Sequence, residues 1–133
     1  MKKAKKAKAD EFVLDGSVAL AWCFPDEKAA YPQAVLDSLA AARAIVPSLW
    51  PLEVGNSLLV GERRKRSTQA NTVNWLAFLS RLAIVVDDET TVRAWGDTLN
   101  LARTHNLSVY DAAYLELALR RGLPLASLDD KLK

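Results

Sequence analysis

Asp15, Glu53, Asp111 and Asp129 are the residues of this sequence whose type and placement could do chemistry. Asp15 closes the apolar stretch EFVLD, Glu53 follows Pro51 in PSLWPLEV, Asp111 lies in SVYDAAYLELALRRG, and Asp129 follows the apolar PLASL. At about 100° per residue, Asp111 falls on one stripe with Tyr114, Leu115 and Ala118, while Glu116 and Arg120 lie on the opposite side, where water is expected. Each acid has a plainer role. Glu53 would complement a helix N-terminus, Ser108 and Asp111 fit a capping box, and Asp129 or Asp130 would cap a turn. Asp15 is harder to dismiss, because an acid ending a buried strand is costly without a partner. Converging carboxylates repel one another and titrate late unless positive charge sits among them. A hard divalent cation, Mg²⁺ or Mn²⁺, supplies that charge with oxygen ligands and retained waters.

Other chemistries lack their first requirement. One cysteine and one histidine make no Cys/His zinc site and no two-histidine acid–base pair, and His105 reads as an ordinary loop residue. The sequence contains no phosphate-binding loop, dinucleotide fingerprint or nucleophile elbow. Trp22, Trp50, Trp75 and Trp95 are far apart and read as packing residues rather than a base-stacking platform.

The elements that must position the acids follow from periodicity and punctuation. Short apolar strands are predicted at Glu11–Asp15, Ala44–Pro47, Leu82–Val86 and Pro124–Leu128. Helices are predicted at Ser17–Trp22, Glu27–Arg43, Gln69–Arg81 and Glu89–Thr104, with Pro25-Asp26 ending the first. A further helix runs to Arg66 from Ser48 or Pro51. Ser108 should cap the next one and Gly122 end it. Strands of four or five residues separated by helices call for an α/β three-layer fold, a short parallel sheet flanked by helices. Ligands in such sheets gather outside the carboxyl ends of the strands, and all four acids can reach that rim.

Half of the 133 residues are hydrophobic and about a quarter charged, which suits one domain over residues 11–133. Net charge is +2, but five of the 18 basic residues are lysines within the first nine positions, leaving 13 basic against 16 acidic groups beyond them, a net of −3. Residues 1–10 read as a disordered basic tail. Arg63, Arg64 and Arg66 form a second basic cluster, either solvated or in contact with a polyanion or an acidic partner. The apolar run Gly16–Phe24 is far short of the ~20 residues of a membrane span. No secretory signal is evident, and a single Cys23 permits no internal disulfide, so the expected location is cytoplasmic.

These residues carry a resemblance. From about Phe12 to Leu132 the chain resembles a PIN domain, specifically the VapC-type toxin nuclease of a type II toxin–antitoxin pair. Its marks are LDGS with Asp15 and Ser17, PSLWPLEVGNSL with Glu53 and Asn56, LSVYDAAYLELA with Asp111, and LPLASLDDKL with Asp129. The resemblance implies a metal-dependent endoribonuclease, cleaving RNA phosphodiester bonds with metal-activated water and neutralised by a cognate VapB-type antitoxin. It also implies a common homodimer. Asp15, Glu53, Asp111 and Asp129 would be both catalytic and metal-binding, with Asp130 able to replace Asp129. Ser17 and Asn56 would orient ligands from behind, and Arg63, Arg64 and Arg66 are candidate RNA or antitoxin contacts. Such domains usually continue into a further helix and strand, which are expected to be missing here because the sequence stops at Lys133. One or two Mg²⁺ ions, with Mn²⁺ able to substitute, would bind the scissile phosphate and stabilise the leaving 3′ oxygen as water attacks in line. Two rivals stand beside this reading. One is a catalytically degenerate PIN-fold interaction module; the other is a phosphotransfer enzyme with Asp15 as nucleophile, although DGS lacks the second aspartate of D-x-D phosphatases.

Overall fold

The computed structural model describes residues 10–24 and 30–132. In chain order the elements are β1 (Asp10–Leu14), α1 (Gly16–Cys23), α2 (Ala30–Ser38), β2 (Ala42–Val46), α3 (Trp50–Arg63), α4 (Gln69–Ser80), β3 (Ile84–Val86), α5 (Thr90–Arg93), α6 (Asp97–His105), α7 (Val109–Arg121) and β4 (Leu125–Ala126), closed by a 3₁₀ turn at Asp130–Leu132. The four strands form one parallel sheet in the order β3-β2-β1-β4. The fold class is therefore the α/β arrangement expected, with helices flanking a short parallel sheet.

Both faces of the central strands are covered. Val13 and Leu14 point to opposite sides of β1, as do Ile45 and Val46 of β2, yet all four are buried. Helix α7 packs on β1 and β4 and pairs with α6, while α1 packs on α2 and α3. The interior joins these strand residues to Val18, Leu58, Tyr114 and Leu117.

Local signals set most boundaries. Ser108 caps α7 by accepting from the Asp111 N–H at 3.0 Å, and Gly122 ends it at φ +65°. Thr68 and Asn71 complete a reciprocal capping box at α4. Pro51 sits in the first turn of α3, which begins at Trp50.

Four expectations need correction. Residues Ala42 and Arg43, predicted to end a helix, belong to β2, because their pairing with Asp10 and Glu11 and the Arg43–Glu11 ion pair extend the ladder. The helix predicted over Glu89–Thr104 is two, α5 and α6, broken at Gly96, whose φ −109° and ψ −104° lie outside the helical region. Arg64 and Arg66 lie past the end of α3, where Lys65 at φ 61° turns the chain back. Trp95, expected to pack, is 92% exposed. Of the residues 1–10 read as a tail, Asp10 opens β1; the rest of that stretch, the Pro25-Asp26 stop and the Glu27 helix start lie outside the described residues.

The largest departure concerns the far side of α7. Glu116 was expected in water but is 4% exposed, and Arg120 is largely covered. Because α6 lies against α7 on the side away from the sheet, the helix buries a wider arc than one stripe. Arg120 resolves the burial by donating to Glu116 at 2.8 Å and to both oxygens of Asp87, at 3.1 and 2.8 Å, just past β3. The guanidinium of Arg120, chiefly by these hydrogen bonds, holds the Asp87 carboxyl below its usual range against the opposing effect of burial.

Removing one partner of such a cluster strands the others in a dry site. Arg120→Met should lower stability by about 3 kcal/mol, or about 10 °C in Tm, as read by thermal melt. Because the folded pKa of Asp87 is depressed, its contribution is present above the unfolded value near 3.9 and is lost as pH falls through the folded one. The stability gap between wild type and Asp87→Asn should accordingly be full at pH 7 and shrink below about pH 4; a gap independent of pH would sink this account.

Candidate active site

Asp15 follows β1 directly, in extended conformation (φ −74°, ψ 146°), at the start of α1. It is 7% exposed. Its Oδ2 accepts from the Ser17 hydroxyl at 2.6 Å and from the Ser127 hydroxyl at 2.8 Å. Those two hydroxyls also accept backbone N–H groups from the loop after β4, Ser17 from Leu128 at 3.0 Å and Ser127 from Asp129 at 2.9 Å. The β4 loop is thereby tied to the head of α1, and Asp129 is carried to the same end of the sheet. Its own Oδ1 accepts from the Lys131 N–H at 3.0 Å.

Glu53 occupies the first turn of α3 and is half-buried. The Tyr114 hydroxyl, from fully buried Tyr114 on α7, donates to Glu53 Oε1. Asp111 lies one turn before Tyr114, half-buried at the start of the same helix. Tyr114 and Ala118 are buried on the stripe predicted for them and Leu115 is half-buried, while Ala112, Ala113, Glu116 and Leu117 are buried round the rest of the helix.

The electrostatics show which acids act on one another. Burial pushes the Glu53 carboxyl above its usual range; the Tyr114 hydrogen bond opposes this, while the charges of Asp15 and Asp111 add to it. Burial likewise raises Asp111, and the charges of Asp129 and Asp15 raise it further, partly offset by Ser108 and Lys131. Asp15 thus acts on both helix-borne acids, and Asp129 acts on Asp111 from the far side. Burial first, and then Glu53, hold the Tyr114 phenol protonated.

Three of the expected supporting placements differ among themselves. Ser17 contacts Asp15 directly. Asn56 is exposed on α3 and no hydrogen bond among the described residues joins it to the four acids. Arg63 ends α3, ten residues from Glu53, or about 15 Å along the axis. Arg66 lies with its guanidinium 4.6 Å from the Phe24 ring centroid, and with Arg64 it borders a cavity of about 410 Å³ between α1 and α3. Asp130 is exposed in the closing 3₁₀ turn, and the charge of Asp129 reaches Asp111.

Sequence reasoning missed Ser127, Tyr114 and Lys131. Ser127, two residues before Asp129 as Ser17 is two after Asp15, carried a spacing signal; Tyr114 had none beyond its stripe.

The donor set is entirely anionic and neutral oxygen, which suits a hard cation such as Mg²⁺ or Mn²⁺. Among the described residues, no three His, Cys, Asp or Glu side chains stand close enough to close around one ion. A cation at this rim would therefore be held by one or two carboxylates with retained waters, a mode that Mg²⁺ favours. The donor chemistry fits such an ion on those terms.

No curated protein is significantly similar to the chain. Among solved structures, the chain is similar to the crystal structure of PAE2754 from Pyrobaculum aerophilum, with a TM-score of 0.69 and 23% identity, covering 96% of this chain and 85% of that one. That likeness is one of fold. The PIN domain family matches residues 12–133, a span that takes in all four acids and every strand from Phe12 onward. By that match over nearly its whole length, the chain belongs to the PIN domain family, whose fold is of the nuclease type.

Proposed function

We propose that this PIN-domain chain is a divalent-metal-dependent endoribonuclease, a cytoplasmic toxin of the VapC type held inactive by a cognate VapB-type antitoxin. The observation that supports the reading is that acids from four separate segments act on one another by charge, Asp15 and Asp111 on Glu53, and Asp129 and Asp15 on Asp111. No helix among the described residues is long and apolar enough to cross a membrane.

Asp15 and Asp111 are the acids best placed to hold a Mg²⁺ ion, with Glu53 and Asp129 reaching it directly or through water. A bound Mg²⁺ or Mn²⁺ would supply positive charge to the scissile phosphate and acidity to a water nucleophile. The residues themselves prepare that chemistry. Ser17 and Ser127 hold the Asp15 carboxylate by Oδ2, so Oδ1 would be the oxygen offered to a cation, and the backbone N–H of Asp129 is tied to the Ser127 hydroxyl. The positive charge of Lys131 acts on Asp111. It can meet a phosphate oxygen at the same place.

Arg63, Arg64 and Arg66 provide a basic region at the far end of α3 for flanking RNA phosphates, and the apolar cavity that Arg64 and Arg66 border suits an antitoxin segment with acidic and apolar residues. A homodimer is supported by exposed apolar residues along one stretch of chain, Val85, Val86, Val92 and Trp95. A second reading, a PIN-fold interaction module without catalysis, is favoured by one observation: Glu53 is engaged by Tyr114 rather than grouped with two other acids. The phosphotransfer rival finds no such support.

The two readings separate in one titration. Calorimetry with Mn²⁺ on antitoxin-free protein should show saturable binding, a Tm that rises with free metal, and metal-dependent cleavage of a fluorescent RNA. Neither binding nor cleavage would leave the interaction module standing. Asp111→Asn should cut cleavage by at least a hundredfold. The sign of its effect on the metal-free fold follows from the raised pKa: Asp111 favours the fold below its unfolded value near 3.9 and that contribution is lost as pH rises through the folded value. Metal-free Asp111→Asn should therefore match wild type near pH 3.5 and melt slightly higher at pH 7. A mutant that melts lower at both values would return Asp111 to a capping role. Replacing Arg63, Arg64 and Arg66 by alanine should weaken RNA binding and flatten its dependence on salt; an unaltered slope would mark these arginines as ordinary surface.

A further inference from the structure

Tyr114 is the point at which three elements of the rim touch. Its ring is fully buried in the core, its hydroxyl donates to Glu53 Oε1 on α3, and a Cβ placed on Gly16 at the head of α1 would lie 3.8 Å from that hydroxyl and 4.0 Å from Glu53 Oε1. Asp111 stands one turn earlier on the same helix, so the Asp111 and Glu53 carboxylates are held in register through this phenol. Glu53 is otherwise a long side chain with rotatable bonds, and among the described residues no other hydrogen bond restrains it. A buried tyrosine needs some acceptor, and a backbone carbonyl would satisfy it equally well. Here the acceptor is an acid on which the charges of Asp15 and Asp111 act, and an outer hydrogen-bond partner of this kind is how metal-binding carboxylates are oriented.

We propose that Tyr114 is a positioning residue for Glu53, fixing one carboxylate oxygen from α7 so that the other, Oε2, is presented to a divalent cation at the rim. The inference rests on the metal-dependent reading above and goes beyond it by adding a residue that touches neither metal nor RNA. It accounts for the engagement of Glu53 without a loss of function: the hydrogen bond occupies Oε1 alone.

The test is Mn²⁺ titration by calorimetry, with metal-free and metal-loaded melts, on antitoxin-free wild type, Tyr114→Phe and Leu117→Val. Tyr114→Phe removes one oxygen and keeps the ring. Leu117, buried one turn further along α7, controls for loosened packing. Tyr114→Phe should bind Mn²⁺ about ten- to a hundredfold more weakly, while its metal-free Tm stays within a few degrees of wild type. Leu117→Val should lower the metal-free Tm and leave Mn²⁺ affinity within twofold. Equal affinity of Tyr114→Phe and wild type would overturn the inference alone. Comparable weakening in Leu117→Val would also overturn it, by assigning the loss to packing. Wild type without any Mn²⁺ binding would overturn it together with the metal-dependent reading.

Discussion

A carboxylate buried at the end of the central strand is the constraint on which the rest of this structure depends. Asp15 sits where β1, flanked by β2 and β4, gives way to α1, and burying its charge without compensation would cost several kcal/mol. No arginine compensates it; two serine hydroxyls do, one from α1 and one from the loop after β4. Each hydroxyl in turn receives a backbone N–H from that loop. The network that makes Asp15 tolerable therefore also folds the β4 loop and determines where Asp129 stands. One interaction thus sets two of the four acids.

The molecule buries acids in two ways, and the contrast is informative. Asp87 and Glu116 are enclosed with Arg120 in a compensated cluster that joins the end of β3 to α7, and the same arginine reaches Glu89 of the segment leading into α5. With Arg121 near Asp87 and Arg93 on Glu89, three acids meet three arginines, a balance that interiors tolerate. The rim at the carboxyl end of β1 is the opposite case. There burial and the charges of neighbouring acids raise the Glu53 and Asp111 carboxyls, opposed by Tyr114 at the first and by Ser108 and Lys131 at the second. Leaving a cluster uncompensated when arginine is available 33 residues from Asp87 in the same helix as Asp111 is a cost to the fold, and costs of that kind concentrate at functional sites.

Helix α7 connects the two treatments of charge. Its first turn carries Asp111, its middle the Tyr114 phenol, and its last turns Glu116 and Arg120. Tyr114 and Ala118 of the predicted stripe are buried, but Ala112, Ala113, Glu116 and Leu117 around the rest of the helix are buried as well. Glu116 and Arg120 were misplaced because periodicity registers only one contact. A second neighbour, α6, covers the opposite side, and a glutamate paired with an arginine four residues on has the pattern of a solvated helix face. The same limit explains the divided helix at Gly96 and the early start of β2. Composition favoured continuity in both places, and pairing with another element decided otherwise.

The sequence by itself determined the order of the strands, the caps at Ser108 and Gly122, the parallel sheet, and Ser17 beside Asp15. These are legible because strand length, helical period and capping are properties of neighbouring residues. Tertiary structure alone decided that Tyr114 would meet Glu53, 61 residues away, that Ser127 would meet Asp15 across 112, and that Asp87 would enclose Arg120 across 33. It also decided that the charge of Asp129 acts on Asp111, and that Asn56 is exposed. Partners so far apart in the chain leave no local pattern, because their meeting depends on how whole elements pack.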